Sequence, residues 1–76
     1  MSNDVLAAVG TSLTNIGRAI GECVRQRTAG SPPPVEHFDL CMGAEILRLR
    51  DLGEDGIAGA LEGFRWPLAR LMKEGW

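Results

Sequence analysis

The side chains with the widest chemical reach in this 76-residue chain are one histidine, His37, and two cysteines, Cys23 and Cys41. A thiol works as a nucleophile when a base lies within reach and a third group orients that base. Neither Cys23–His37 nor Cys41–His37 carries a local signature of this kind, and no GxSxG elbow offers a serine instead. His37, Asp39 and Cys41 alternate, which would align them as metal ligands on a strand. On a helix a two-residue step points them apart, and structural zinc needs two pairs of ligands. Glu54 and Asp55 are adjacent and suit the start of a helix, where negative charge meets the amino-end dipole, better than acid–base work. Gly53, Gly56, Gly59 and Gly63 fit neither GxxxxGK[ST] nor GxGxxG, so no phosphate cradle is expected. The expectation is a chain that is not an enzyme, with no catalytic residue, no metal and no cofactor. The two cysteines form no CxxC and are expected to be reduced and buried.

The elements around these residues all read as helix. Leu6, Val9, Leu13, Ile16, Ile20 and Cys23 recur at spacings of 3, 4, 3, 4 and 3, a heptad seam of almost three repeats. It predicts an amphipathic helix over 3–28, capped by Ser2 or Asn3 and stopped by Gly30. Gly10, Gly17 and Gly21 weaken that helix by about 1 kcal/mol each relative to alanine. Close approach of a neighbouring backbone would offset the cost; simple tolerance is the alternative. Residues 30–34, Gly-Ser-Pro-Pro-Pro, read as a stiff linker. Apolar residues at Val35, Phe38, Met42, Leu49 and Leu52, widened by Leu40, Ala44 and Leu47, predict a second helix over 35–52 that stops at Gly53. A short glycine-rich helix over 55–64 is expected next. Pro67 then suits the first position of a final helix running to about 74. No β-branched alternation points to a sheet. The expected fold is all-α: one single small domain over 1–76, with a long first helix, a proline-rich linker and a compact C-terminal group of two or three short helices over 35–76.

Residues 45–73 also resemble a helix-turn-helix. Ile57, Ala58, Leu61, Leu68 and Leu71 match core spacings of such motifs, with Glu45 to Leu49 in the preceding helix. The resemblance implies a recognition helix beginning near Pro67, with Arg65, Arg70 and Lys73 contacting phosphates or bases. Two departures weaken it: Gly63 sits one place late for the turn, and Pro67 delays the last helix.

Composition favours a binding protein over a nucleic-acid reader. The net charge is −2 and the apolar fraction 45%, so a strongly basic footprint is absent and a folded core is expected. Charge is uneven. Residues 35–56 hold six acids against Arg48 and Arg50, a net of −4, between mildly basic flanks. No apolar run approaches the roughly 20 residues of a bilayer span, and no positively charged leader is visible, so the expected location is the cytoplasm. A domain this small has little core with which to cover a seam. The reading is therefore a protein-interaction module (adaptor, inhibitor or assembly component) in the manner of small accessory proteins of bacteria and phages. Its expected partners are another protein and a second copy of itself, with a dimer favoured. The expected interface residues are Leu6, Val9, Leu13, Ile16, Ile20, Phe64, Trp66 and Trp76.

Overall fold

A computed structural model describes residues 3–74. Three helices account for nearly all of it: α1 (Asn3–Thr28), α2 (Val35–Asp51) and α3 (Asp55–Glu74). The first two keep almost the boundaries their sequences predict, and the punctuation is chemical. Gly30 and Gly53 take positive φ, 81° and 82°. Each lets the chain fold back on the helix it ends, so that Ser31 N–H donates to the Gln26 carbonyl and Glu54 N–H to the Leu49 carbonyl, both at 2.9 Å. A side chain at either glycine would be strained.

The C-terminal region differs from its reading. A turn was expected between residues 64 and 67, but α3 runs unbroken through Pro67. Proline removes one amide donor and crowds the carbonyl four residues back, here that of Gly63. Both residues are exposed, so water can take the place of the lost donor. A further helix at Pro67 is therefore not formed, and the C-terminal group has two helices.

The helices run up, down and up, with α2 packed against both others. Phe38, Met42, Ile46 and Leu49 place α2 at the centre, all at 2% exposure or less. Around them lie two apolar clusters. One joins Phe38 and Met42 to Ile16, Ala19 and Cys23 of α1 and Met72 of α3. The other joins Ile46 and Leu49 to Val9 and Ala58. The radius of gyration is 13.2 Å, against about 11 Å for a compact domain of this length. Three helices in this arrangement leave much of their outer surface without cover.

Two polar residues enter the interior. Glu45, 3% exposed, follows the inward register of α2. It accepts hydrogen bonds from Asn15 Nδ2 at 3.1 Å and Arg48 Nη1 at 2.9 Å, which compensate its burial. Ser12 is fully buried between Val9 and Ile16, and among the described residues its hydroxyl meets no hydrogen-bond partner. At the far end, Arg27 Nη2 donates to the Met72 carbonyl at 2.7 Å, tying α1 to the last turn of α3.

Candidate interaction surfaces

The heptad seam is divided between inside and outside. Val9, Ile16 and Cys23 are buried in the clusters, where Ser12 and Ala19 join them. Val9 and Ile16 are thus core residues rather than a surface. The inward register of α1 is Val9, Ser12, Ile16, Ala19 and Cys23, rotated from the sequence seam because small residues let α2 come close. Leu6 and Leu13 are left outside, 60% and 46% exposed, with Val24 beside them at 43%. Ile20 lies at the rim, half-buried against the first cluster.

These outward residues share a side of the molecule with α3. Ile20 of α1 and Leu61 and Leu68 of α3 border the same cluster. The opposite flank of each helix is turned to α2: Asn15 and Glu22 line a cleft with His37 and Glu45, and Trp66 and Ala69 line another with Val35 and Leu40. The remaining flanks of α1 and α3 therefore face one groove. One helical step outward from Leu61 and Leu68 come Phe64 and Leu71, 59% and 43% exposed. Gly10, Gly17 and Gly21 extend the α1 wall, and a methyl group added to any of them would meet nothing within 4 Å.

Among the described residues the charged side chain that spans this groove is Arg27, at the end where its Nη2 donates to the Met72 carbonyl. On α1, Asp4, Arg18, Glu22 and Arg25 fall on other sides of the helix, and Arg27 turns inward to Met72. On α3 only Glu74, in the last turn, approaches the edge. In a chain that is 24% charged, a face built from leucine, valine, phenylalanine and glycine stands apart.

A second apolar patch occupies the outer side of α2 and the adjoining flank of α3. Leu40, Leu47 and Trp66 are the most exposed large apolar side chains, at 71%, 64% and 67%. Trp66 therefore lies on a different flank of α3 from Phe64. Between the helices Arg65 Nε donates to Asp39 Oδ1 at 2.8 Å and Nη2 to Oδ2 at 3.2 Å. The guanidinium holds the Asp39 carboxyl below the usual carboxylate range, and the carboxylate raises Arg65 in turn. Gly43 leaves room for that guanidinium, since a Cβ there would meet Arg65 Nη2 at 2.9 Å.

No family model, no curated protein and no solved structure matches this chain.

The cleft between α1 and α2 gathers Asn15, Arg18, Glu22, His37, Cys41 and Glu45. His37, Cys41 and Glu45 come together because they are four apart on one helix, a spacing that the alternating His37, Asp39 and Cys41 had obscured. The thiol there is poorly placed for nucleophilic work. Burial and the nearby Glu45 carboxylate push Cys41 up from its ordinary value, and burial does the same to Cys23. Among the described residues no group of three acidic, histidine or cysteine side chains could hold a metal ion.

The residues expected to meet DNA are dispersed. Arg65 is bound to Asp39. Arg70 lies over the Trp66 ring at 5.3 Å and bonds Glu74, and Lys73 is exposed in the last turn. Among the described residues no separate helix begins at Pro67 to present them. Trp76 lies outside the described residues. Among those described, no helix is long and apolar enough to cross a membrane. Sequence reasoning missed Leu40, Leu47, Val24 and Leu71 as surface residues. Leu40 and Leu47 lie seven apart and opposite the Phe38–Met42–Leu49 register, a signal available in the sequence.

Proposed function

We propose that the protein is an interaction module that works by association, and that the groove between α1 and α3 takes a second copy of the chain. The supporting observation is the apolar face of Leu6, Leu13, Val24, Phe64 and Leu71. An apolar surface complements itself. Two copies related by a two-fold axis bring the same residues together. Burying the half of each side chain still in water contributes on the order of 1 kcal/mol apiece, about 10 kcal/mol for a symmetric pair. Association costs roughly 4–15 kcal/mol, so the expected complex is weak and depends on concentration. Gly10 and Gly17 allow the second backbone to approach closely, which gives these helix-weakening residues a use.

Light scattering coupled to gel filtration tests this across a range of protein concentrations. The expected result is mass rising with concentration, and a markedly weaker rise in Leu13→Asp with helix content retained. Leu13 is already 46% exposed, so an aspartate there reaches water in the isolated fold. A wild-type chain of monomer mass at every concentration would end the proposal.

A further inference from the structure

We infer that the outer face of α2 is a second, antiparallel self-contact, independent of the α1–α3 groove. The segment Leu40-Cys41-Met42-Gly43-Ala44-Glu45-Ile46-Leu47 is symmetric in its outward residues about a point between Gly43 and Ala44. A two-fold axis through that point, perpendicular to α2, sets Leu40 of one copy against Leu47 of the other. Ala44, small and exposed, then lies beside the crossing, while Gly43 is covered by the Arg65 guanidinium. The leucines close the contact on either side.

Charge supports the same register. The same operation brings the α2 ends together head to tail. Glu36, on the α3 side of the Leu40–Leu47 line, comes to the height of the second copy's Arg50, which lies on that side also. Across the line Asp51 comes to the height of the second copy's His37. All four side chains are exposed, and among the described residues none of the four forms an ion pair within one copy. A parallel arrangement would instead set Glu36 beside Glu36 and Arg50 beside Arg50, which is repulsive. The occupant is accordingly a second copy in antiparallel orientation. An extended peptide is disfavoured because α2, whose backbone groups bond along the helix itself, offers none for it to pair with. Beside the patch Arg65 and Asp39 pair α3 with α2.

A chain with two self-complementary faces on different sides assembles beyond a dimer, closing as a tetramer or extending as a fibre according to the angle between the two axes. Sedimentation of charge variants made in the Leu13→Asp background isolates the α2 contact, because the groove contact is removed there. Leu13→Asp alone should still dimerise. Adding Glu36→Arg should weaken that dimer roughly tenfold, as should adding Arg50→Glu. Combining the two reversals should restore affinity to within about threefold of the Leu13→Asp parent, because the swapped pair attracts again. Leu47→Asp, at a side chain already 64% exposed, should abolish the dimer while circular dichroism stays helical. A folded Leu13→Asp chain that is monomeric at millimolar concentration, or single reversals that are not rescued by their combination, would overturn the α2 contact and leave the groove proposal standing. Loss of association in wild type would remove both. Should Leu13→Asp not fold, Leu6→Asp, at a still more exposed position of the same wall, serves as the background.

Discussion

The groove exposes five large apolar side chains and the outer α2 patch three, and the two faces also differ in charge. The α1–α3 groove holds leucine, valine, phenylalanine and glycine, with Arg27 confined to the end where it bonds the Met72 carbonyl. The outer face of α2 sets Leu40 and Leu47 between Glu36 at one end and Arg50 and Asp51 at the other. Apolar burial is non-directional and scales with area, so the groove can adhere strongly and specify orientation only through shape. Charged brackets contribute little affinity at an exposed rim, but they penalise the wrong register. One face thus provides adhesion and the other provides alignment. An assembly built from a very small domain needs both, because its own core is too small to supply a large rigid interface.

The largest effect should come from the groove. Phe64→Asp places a carboxylate at the centre of the apolar face, and its desolvation on association is uncompensated. Groove affinity is expected to fall by a hundredfold or more, roughly 3 kcal/mol, as read by sedimentation equilibrium. Phe64→Leu should lose far less. Equal losses in the two variants would show that the face acts by shape rather than by its apolar character.

Salt separates the two faces next. Raising ionic strength from about 0.05 to 0.5 M shortens the screening length from more than 10 Å to about 4 Å. The α2 contact, measured in Leu13→Asp, should weaken severalfold. The groove contact, measured in Leu47→Asp, should hold or strengthen. The same response in both backgrounds would erase the distinction between adhesion and alignment.

Glycine 17 tests the groove at a smaller scale and with a split sign. Its replacement by alanine meets nothing within 4 Å in the isolated fold, so helix propensity predicts about 1 kcal/mol of added stability, or roughly 4–8 °C in melting temperature. The same methyl group should hold a second copy away and weaken association. Stabilisation without weaker association would show that no backbone comes near this position.

Much of the fold was legible in the sequence because its signals were local. Gly30 and Gly53 end helices for a stereochemical reason that acts within a few residues, and the α1 and α2 boundaries followed. The continuity of α3 was not legible, since proline is compatible with both a first helical position and an exposed helix interior; which one forms depends on water access at Gly63. The seam was half legible. Its spacing is consistent with two faces about 60–80° apart on the helix, and only the packing of Ser12 and Ala19 against α2 decides which turns inward. Glu45 is one of the six acids of residues 35–56, although it stands in the inward register of Phe38, Met42 and Leu49. Its partner Asn15 lies 30 positions away, beyond the reach of any local pattern.

The smallest expected effect concerns the ion pair under the α2 face. Asp39 and Arg65 side chains are 42% and 31% exposed, so solvent screening limits the pair to at most about 1 kcal/mol. The sign follows from linkage. Folding lowers the Asp39 pKa, so the folded state favours the carboxylate. The contribution is complete above the ordinary carboxylate range and fades as the pH falls through the lower, folded value. Asp39→Asn should therefore cost under about 1 kcal/mol at neutral pH, and its difference from wild type should shrink toward zero in strong acid, as read by urea unfolding at a series of pH values. The pair also fixes the flank of α3 that carries Trp66 against α2. Asp39→Asn should accordingly loosen the α2 contact in the Leu13→Asp background while leaving the groove contact of the Leu47→Asp chain unchanged. A loss shared by both contacts would mean that the ion pair supports the whole fold rather than one face of it.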